Sequence, residues 1–175
     1  MRFNLLAFLP AFALFSIVSA GADTVNGHIT DLVTSINGLN TQLHRPNAGT
    51  SYAAALGVNT AARKLISDLH SATAFVHDYG QLSDDEASAA LDNMGVALPI
   101  VQNATTTVAG LKPQFTKLNL FGIARADVLK LQSATSDFME SIVDAVPSAD
   151  VADAKLKQAA YNAALADAAS AYSTN

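Results

Sequence analysis

The spacing of apolar residues is the feature that most constrains the fold of this chain. In segment 23–44 the apolar side chains follow one another at intervals of four or three residues (Val25, Ile29, Leu32, Ile36, Leu39 and Leu43). An α-helix has about 3.6 residues per turn, so this spacing places all six side chains on one face. The segment therefore predicts an amphipathic helix, which Asp23 or Thr24 can cap at its start.

Helical spacing continues through most of the remaining sequence. We predict helices at 51–79, from Ser83 to a break at Gly110, at 123–146 and at 149–172, with a short helical turn at 113–120. The residues expected to face inward are Tyr52, Leu56, Ala62, Ile66, Leu69 and Val76, then Ala87, Leu91, Met94, Leu98, Val101 and Val108, then Val128, Leu131, Phe138, Ile142 and Val146. No stretch alternates with a period of two, so we predict no sheet.

Several residues mark where these helices begin, bend and end. Gly80 follows the second helix and is typical of a helix stop. Ser83 and Glu86 form a capping-box sequence, in which each side chain accepts a hydrogen bond from the other residue's backbone N–H. Pro99 lies inside the third helix and is expected to kink it. Alanine makes up 11 of the 23 residues from 149 to 171, which favours a helix there.

These segments predict an all-α fold. We expect an elongated antiparallel bundle of four long helices plus one short helix, in which short loops make sequential helices antiparallel neighbours. The chain has no cysteine, so disulfides cannot stabilise the bundle and its core must do so. The alanine-rich last helix either approaches its neighbours closely or leaves space beside it, and the sequence does not separate these outcomes.

The first twenty residues predict a secretory signal peptide. Arg2 precedes an apolar run that extends from Leu5 to Val18, and small residues end at Ala20. The run is short for a membrane span, which needs ~20 apolar residues, so we expect cleavage after Ala20. The mature chain, residues 21–175, is expected to form one domain. No later segment predicts a transmembrane span, and the localisation is expected to be extracellular.

Composition and motifs argue against several function classes. A net charge of −5 and dispersed cations give no reason to expect a nucleic-acid partner. The histidines, His28, His44, His70 and His77, have no metal-ligand spacing, and His70 and His77 lie ~10 Å apart on one helix side. The sequence contains no nucleophile elbow and no phosphate-binding loop. We therefore expect no catalytic residue, no bound metal and no cofactor, and an enzyme is not predicted.

Polar residues on the apolar faces are a more informative signal. Thr73, Thr105, Thr135 and Asn59 are all in register with apolar neighbours. Each threonine can simply donate to the carbonyl four residues earlier, or several together can orient the polar head of an apolar ligand. Asn103 begins a glycosylation sequon, and helical register places it on the outer face when Thr105 points inward.

The segment 23–32, continuing to Leu43, resembles the first helix of the fungal hydrophobic-surface-binding protein A and cell wall galactomannoprotein family. The residues 112–115 and the alanine-rich end extend the resemblance over nearly the whole mature chain. It implies a secreted, non-enzymatic helical domain, associated with the fungal cell wall or the medium. Some members bind hydrophobic surfaces and recruit a secreted esterase, and others enclose a long-chain fatty acid. No stalk or anchor signal precedes Asn175, so the sequence leaves open whether the protein is retained in the cell wall or released.

Two functional hypotheses follow. A lipid carrier would hold a fatty acid along its apolar residues, with threonines near the head group (Leu32, Ile36, Leu39, Ile66, Leu69, Thr73, Leu91, Met94, Leu98, Thr105, Leu131, Thr135, Phe138 and Ile142). The alternative is an adhesin that binds hydrophobic solids through exposed apolar area. The same residues also describe an ordinary packed core. An internal void favours the carrier, and an empty void of ~300 Å³ would cost ~7 kcal/mol, so it should be filled, hydrated or partly collapsed.

Overall fold

The computed structural model describes residues 24–173, which form six helices and no β-strand. The predicted signal peptide at 1–20 and the candidate cap Asp23 lie outside this range. The helices are α1 (Val25–Leu43), α2 (Tyr52–Tyr79), α3 (Asp84–Gly110), α4 (Lys112–Lys117), α5 (Phe121–Ala145) and α6 (Val151–Ala171). The predicted all-α bundle is confirmed. The predicted number of long helices was one too low, because each of the five long segments forms a separate helix.

The helix ends follow the local sequence signals. Thr24 caps α1 by accepting a hydrogen bond from the Gly27 N–H at 3.0 Å. The predicted capping box of Ser83 and Glu86 is present at the start of α3. Gly80 ends α2 with a φ of +81°, a backbone conformation that is strained for residues with a Cβ. Pro99 lies within α3, which continues to Gly110.

The five long helices form a closed ring. Around the ring the order is α1, α2, α5, α6 and α3, with α3 packing back against α1. The short helix α4 contacts α3 and α5 and links them at one end. The loop before α2 packs on α4, since a Cβ at Gly49 would lie 2.8 Å from Gln114 Cγ. No helix within residues 24–173 has the length and apolar character needed to cross a membrane.

Ring order differs from chain order at two places. Consecutive long helices run in opposite directions as predicted, but two consecutive pairs are not ring neighbours. Helix α1 lies between α2 and α3, and α6 lies between α3 and α5. The loop between α2 and α3 crosses the end of the bundle, where the Leu82 N–H donates to Ala145 O at 2.8 Å. As a result α1 and α3 run parallel, with Asn26 contacting Glu86 at one end and His44 contacting Thr107 at the other.

A ring of five helices leaves space on its axis. Helix axes pack ~8–10 Å apart, so five helices ~10–12 Å across lie ~7–8.5 Å from the ring axis and leave a gap of ~2 Å radius. In a ring of four the same distances leave only ~1 Å. The fifth long helix therefore determines whether the centre can be filled by the surrounding side chains alone.

The predicted inward face of α2 is wrong at its first turn. Tyr52 and Leu56 are exposed, whereas Ala55, Val58 and Ala62 are buried. Small side chains face the core here because α2 is held close to both α1 and α5. All five residues predicted to face inward in segment 123–146 are buried (Val128, Leu131, Phe138, Ile142 and Val146).

Candidate functional site

The ring encloses an apolar cavity of about 120 Å³. All five long helices contribute to its wall, and Phe115 of α4 and Leu120 lie at the end where α3 is linked to α5. The cavity extends from the end nearest α4 past the middle of the bundle, as far as Ile29, Leu69 and Met139. At the opposite end side chains such as Val76, Ala87 and Ile142 are fully packed and close the core.

Nine of the fourteen residues predicted to bind lipid line this cavity. They are Leu32, Ile36, Leu39, Leu69, Met94, Thr105, Leu131, Thr135 and Phe138. The other five (Ile66, Thr73, Leu91, Leu98 and Ile142) do not line it. Leu91 and Ile142 are buried in the core outside the cavity wall, and the remaining three are partly exposed. Helical register identified the buried face, but that face is longer and wider than the cavity.

The three threonines differ in how their hydroxyls are satisfied. Thr73 donates to Leu69 O at 2.8 Å, the backbone bond expected of a threonine within a helix. Thr105 donates to Gln102 O at 3.0 Å. Thr135 is buried in the wall and makes no side-chain hydrogen bond to any residue in the range 24–173. Of the three, this hydroxyl alone keeps its O–H donor free for a ligand.

A buried carboxylate is the main feature that sequence reasoning missed. Asp127 of α5 is 9% exposed, lines the cavity, and accepts a hydrogen bond from Asn59 Nδ2 of α2 at 2.6 Å. Burial raises the pKa of Asp127, an effect that the Asn59 hydrogen bond and the charges of Arg63 and Lys130 oppose. Asp127 lies four residues before the buried Leu131, so helical register was the signal that could have identified it.

Tyr161 contributes a second polar group to the cavity wall. Its hydroxyl donates to Met94 O at 2.8 Å and so connects α6 to α3. Burial raises the pKa of this phenol. Apolar spacing does not predict the position of Tyr161, because the alanine-rich α6 has no distinct apolar stripe.

The cavity reaches the surface beside two apolar side chains. Leu56 of α2 and Ile123 of α5 line it, yet they are 36% and 42% exposed. They precede Asn59 and Asp127 by about one helical turn on two helices that run parallel. The polar pair therefore lies just inside an apolar rim, which we call the α2–α5 opening.

The histidines lie apart from this cavity. His28 packs against Phe75 with tilted rings whose centroids lie 4.3 Å apart, and His44, His70 and His77 are exposed. Across residues 24–173, no cluster of three or more histidine, aspartate and glutamate side chains has the geometry to hold a metal ion.

The sequence model of the family described as hydrophobic surface binding protein A matches residues 22–144. Solved structures with a similar fold include Afmp4p in complex with palmitic acid, at 21% identity and a TM-score of 0.81, covering 87% of this chain and all of that one. A second is ligand binding domain 2 of Penicillium marneffei MP1 protein complexed with arachidonic acids, at 14% identity and a TM-score of 0.79, covering 90% and 99%. A comparison with curated protein sequences finds no match.

Proposed function

Because the chain belongs to the hydrophobic surface binding protein A family, we propose that it is a non-enzymatic protein that binds a long-chain fatty acid or a similar lipid inside its helical ring. The single observation that supports this most strongly is the apolar axial cavity, which opens between Leu56 and Ile123. The proteins of similar fold were solved in complex with palmitic acid and with arachidonic acids, which are ligands of the same class.

The size of the cavity sets a condition on binding. Its volume of about 120 Å³ is below the ~300 Å³ of the smallest ligand pockets, so the helices must separate to admit a long alkyl chain. An empty cavity of this size costs about 3 kcal/mol in lost packing, at ~24 cal/mol per Å³. A bound lipid restores those contacts, because methylene groups then fill the space along the axis.

Lipid analysis of the purified secreted protein tests this proposal. We expect native mass spectrometry and organic extraction to recover a long-chain lipid, and added fatty acid to raise the melting temperature of delipidated protein. A ligand at 100 times its Kd stabilises a protein by about 2.7 kcal/mol. Bare protein in both measurements, with no rise in melting temperature, would contradict the proposal.

A variant that fills the cavity provides a matched comparison. Ala168 of α6 is buried and lines the cavity, so we expect Ala168→Leu to occupy the space and reduce lipid binding about tenfold or more. Ala152 lies exposed on the same helix, and Ala152→Leu should bind lipid as the wild type does. Equal binding by both variants would place the lipid elsewhere.

Adhesion to hydrophobic solids is a second candidate function. Leu156 of α6 and Val96 of α3 are 71% and 62% exposed, on two helices that pack together. If these side chains contact the solid, Leu156→Gln should weaken adsorption to hydrophobic beads, whereas Ala168→Leu should not. Recruitment of a secreted esterase to such a surface belongs to this candidate, and co-sedimentation of an esterase with protein-coated beads would test it.

We also propose that the protein is secreted and acts as one domain. The expected signal peptide is residues 1–20, and the domain comprises residues 21–175. Asn103 is exposed on α3, as a glycosylated residue must be. Intact-mass analysis of protein secreted by a fungal host should give a chain that begins after Ala20, and treatment with an N-glycosidase should reduce its mass if Asn103 carries a glycan.

A further inference from the structure

The polar pair at the α2–α5 opening has the chemistry to select a head group. We propose that Asn59 and Asp127 bind the head of the lipid and that they favour an uncharged hydroxyl head, as in a fatty alcohol or a monoacylglycerol, over an ionised carboxylate. This inference rests on the proposed lipid-binding function. The inference adds a location and a chemical class for the polar end of the ligand.

The hydrogen bonding of the pair leaves an excess of acceptors. Asp127 Oδ2 accepts from Asn59 Nδ2 at 2.6 Å. Neither Asp127 Oδ1 nor Asn59 Oδ1 accepts a hydrogen bond from any residue in the part of the chain that the structure describes. A hydroxyl head group carries one O–H donor and two acceptor lone pairs. The hydroxyl can therefore donate a hydrogen bond to a free oxygen of the pair and accept one from the remaining N–H of Asn59 Nδ2.

A carboxylate head lacks this complementarity. It carries no proton to donate to Asp127 Oδ1, and its negative charge repels that of Asp127 across an apolar cavity that screens charges weakly. Arg63 and Lys130 carry the charges that act on Asp127, and both side chains are exposed to water. Water screens the attraction they would exert on a second anion, so they offset only part of the repulsion at the wall.

The position of the pair fits the polar end of an amphiphile. Leu56 and Ile123 form the apolar rim about one helical turn nearer the end of the bundle, and both are exposed. Below the pair the wall is formed by apolar residues such as Leu69, Leu131 and Met139. A lipid that enters between α2 and α5 would extend its alkyl chain along the axis and leave its head beside Asn59 and Asp127.

Competition between two lipids of equal chain length tests the inference. Delipidated protein is mixed at neutral pH with a saturated fatty alcohol and the matching fatty carboxylate, and bound lipid is measured by native mass spectrometry. We expect the alcohol to bind about 10- to 100-fold more tightly, the range for one hydrogen bond to a charged group. Equal affinity, or tighter binding of the carboxylate, would overturn the inference. Binding of neither lipid would instead refute the proposed function.

Isosteric variants assign the preference to this pair. Asp127→Asn removes the charge and supplies an N–H donor, so the preference for the alcohol should fall about tenfold or more, chiefly because the carboxylate binds better. Asp137→Asn makes the same change at an exposed position of α5 and should keep the wild-type preference. An unchanged preference in Asp127→Asn would overturn the inference. The wild-type competition remains decisive if that variant does not fold.

Discussion

At the scale of single residues, the polar side chains in the cavity wall are the most informative feature. Asn59 and Asp127 join α2 to α5, and Tyr161 joins α6 to α3. A hydrogen bond in an apolar interior is retained because an unpaired polar group there is costly. These groups therefore connect ring neighbours that do not follow one another in the chain.

The raised pKa of Asp127 predicts a pH-dependent stability difference. A carboxyl group whose pKa rises above its ordinary value of 3.8 on folding stabilises the fold fully below that value and loses this contribution as the pH rises through the folded pKa. Asp127→Asn does not titrate, so its stability relative to the wild type should increase as the pH rises above about 3.8. Urea unfolding at a series of pH values measures this difference, and a constant offset would contradict the prediction.

The hydroxyl of Tyr161 gives a second prediction at this scale. Tyr161→Phe removes the hydrogen bond to Met94 O but keeps the ring, so we expect a loss of about 1 kcal/mol in the free energy of unfolding. Tyr52 is exposed, and Tyr52→Phe should change stability by less than about 0.5 kcal/mol. Urea denaturation of the two variants measures both effects. If their losses are equal, the buried hydrogen bond does not contribute to stability.

At the scale of elements, the alanine-rich α6 borders packed core along one part of its length and the cavity along another. Ala154 is fully buried but does not line the cavity, whereas Ala168 does. The helix therefore packs closely against α3 and α5 near its start and borders open space near its end. The two outcomes that the alanine content left open both occur, in different turns of the same helix.

This difference predicts unequal costs for the same substitution. Ala154→Leu forces a larger side chain into a filled core and should destabilise the protein by about 1–3 kcal/mol. Ala168→Leu extends toward the cavity and should cost less, since the new methyl groups gain contacts there. Thermal unfolding of both variants, with Ala152→Leu as the exposed reference, measures the contrast. A larger loss for Ala168→Leu than for Ala154→Leu would contradict it.

At the scale of the whole molecule, the number of helices in the ring determines the shape of the space inside. A gap of ~2 Å radius along the axis of five packed helices suits a thin, linear chain better than a fused ring system. The cavity is also closed by packed side chains at the end opposite α4. The architecture therefore favours a single direction of insertion, from the α2–α5 opening along the axis.

This geometry predicts selectivity by ligand shape. A linear alkyl lipid should bind at least about tenfold more tightly than a sterol, because the sterol requires a larger separation of the helices. Both ligands carry a hydroxyl when the linear lipid is a fatty alcohol, so the comparison isolates shape from head-group chemistry. Displacement of a fluorescent fatty probe measures both affinities. A sterol that displaces the probe as effectively as the alcohol would contradict the axial binding mode.

The sequence by itself determined the local structure. Apolar spacing, Thr24, Gly80 and the Ser83 capping box predicted the helices and their ends, because these signals act within one or two turns of the chain. The same register identified most of the cavity wall, including Leu32, Leu131 and Phe138. A resemblance over nearly the whole mature chain indicated the family.

Only the tertiary structure decided how the helices are arranged. The ring order, the separation of α2 from α3 by α1, and the meeting of Asn59 with Asp127 depend on contacts between residues far apart in the chain. Register shows which side of a helix is buried, but it carries no information about which helix lies opposite. For that reason the sequence could predict an apolar interior, whereas the cavity, its opening and the contact between Asn59 and Asp127 depend on the closure of five helices into a ring.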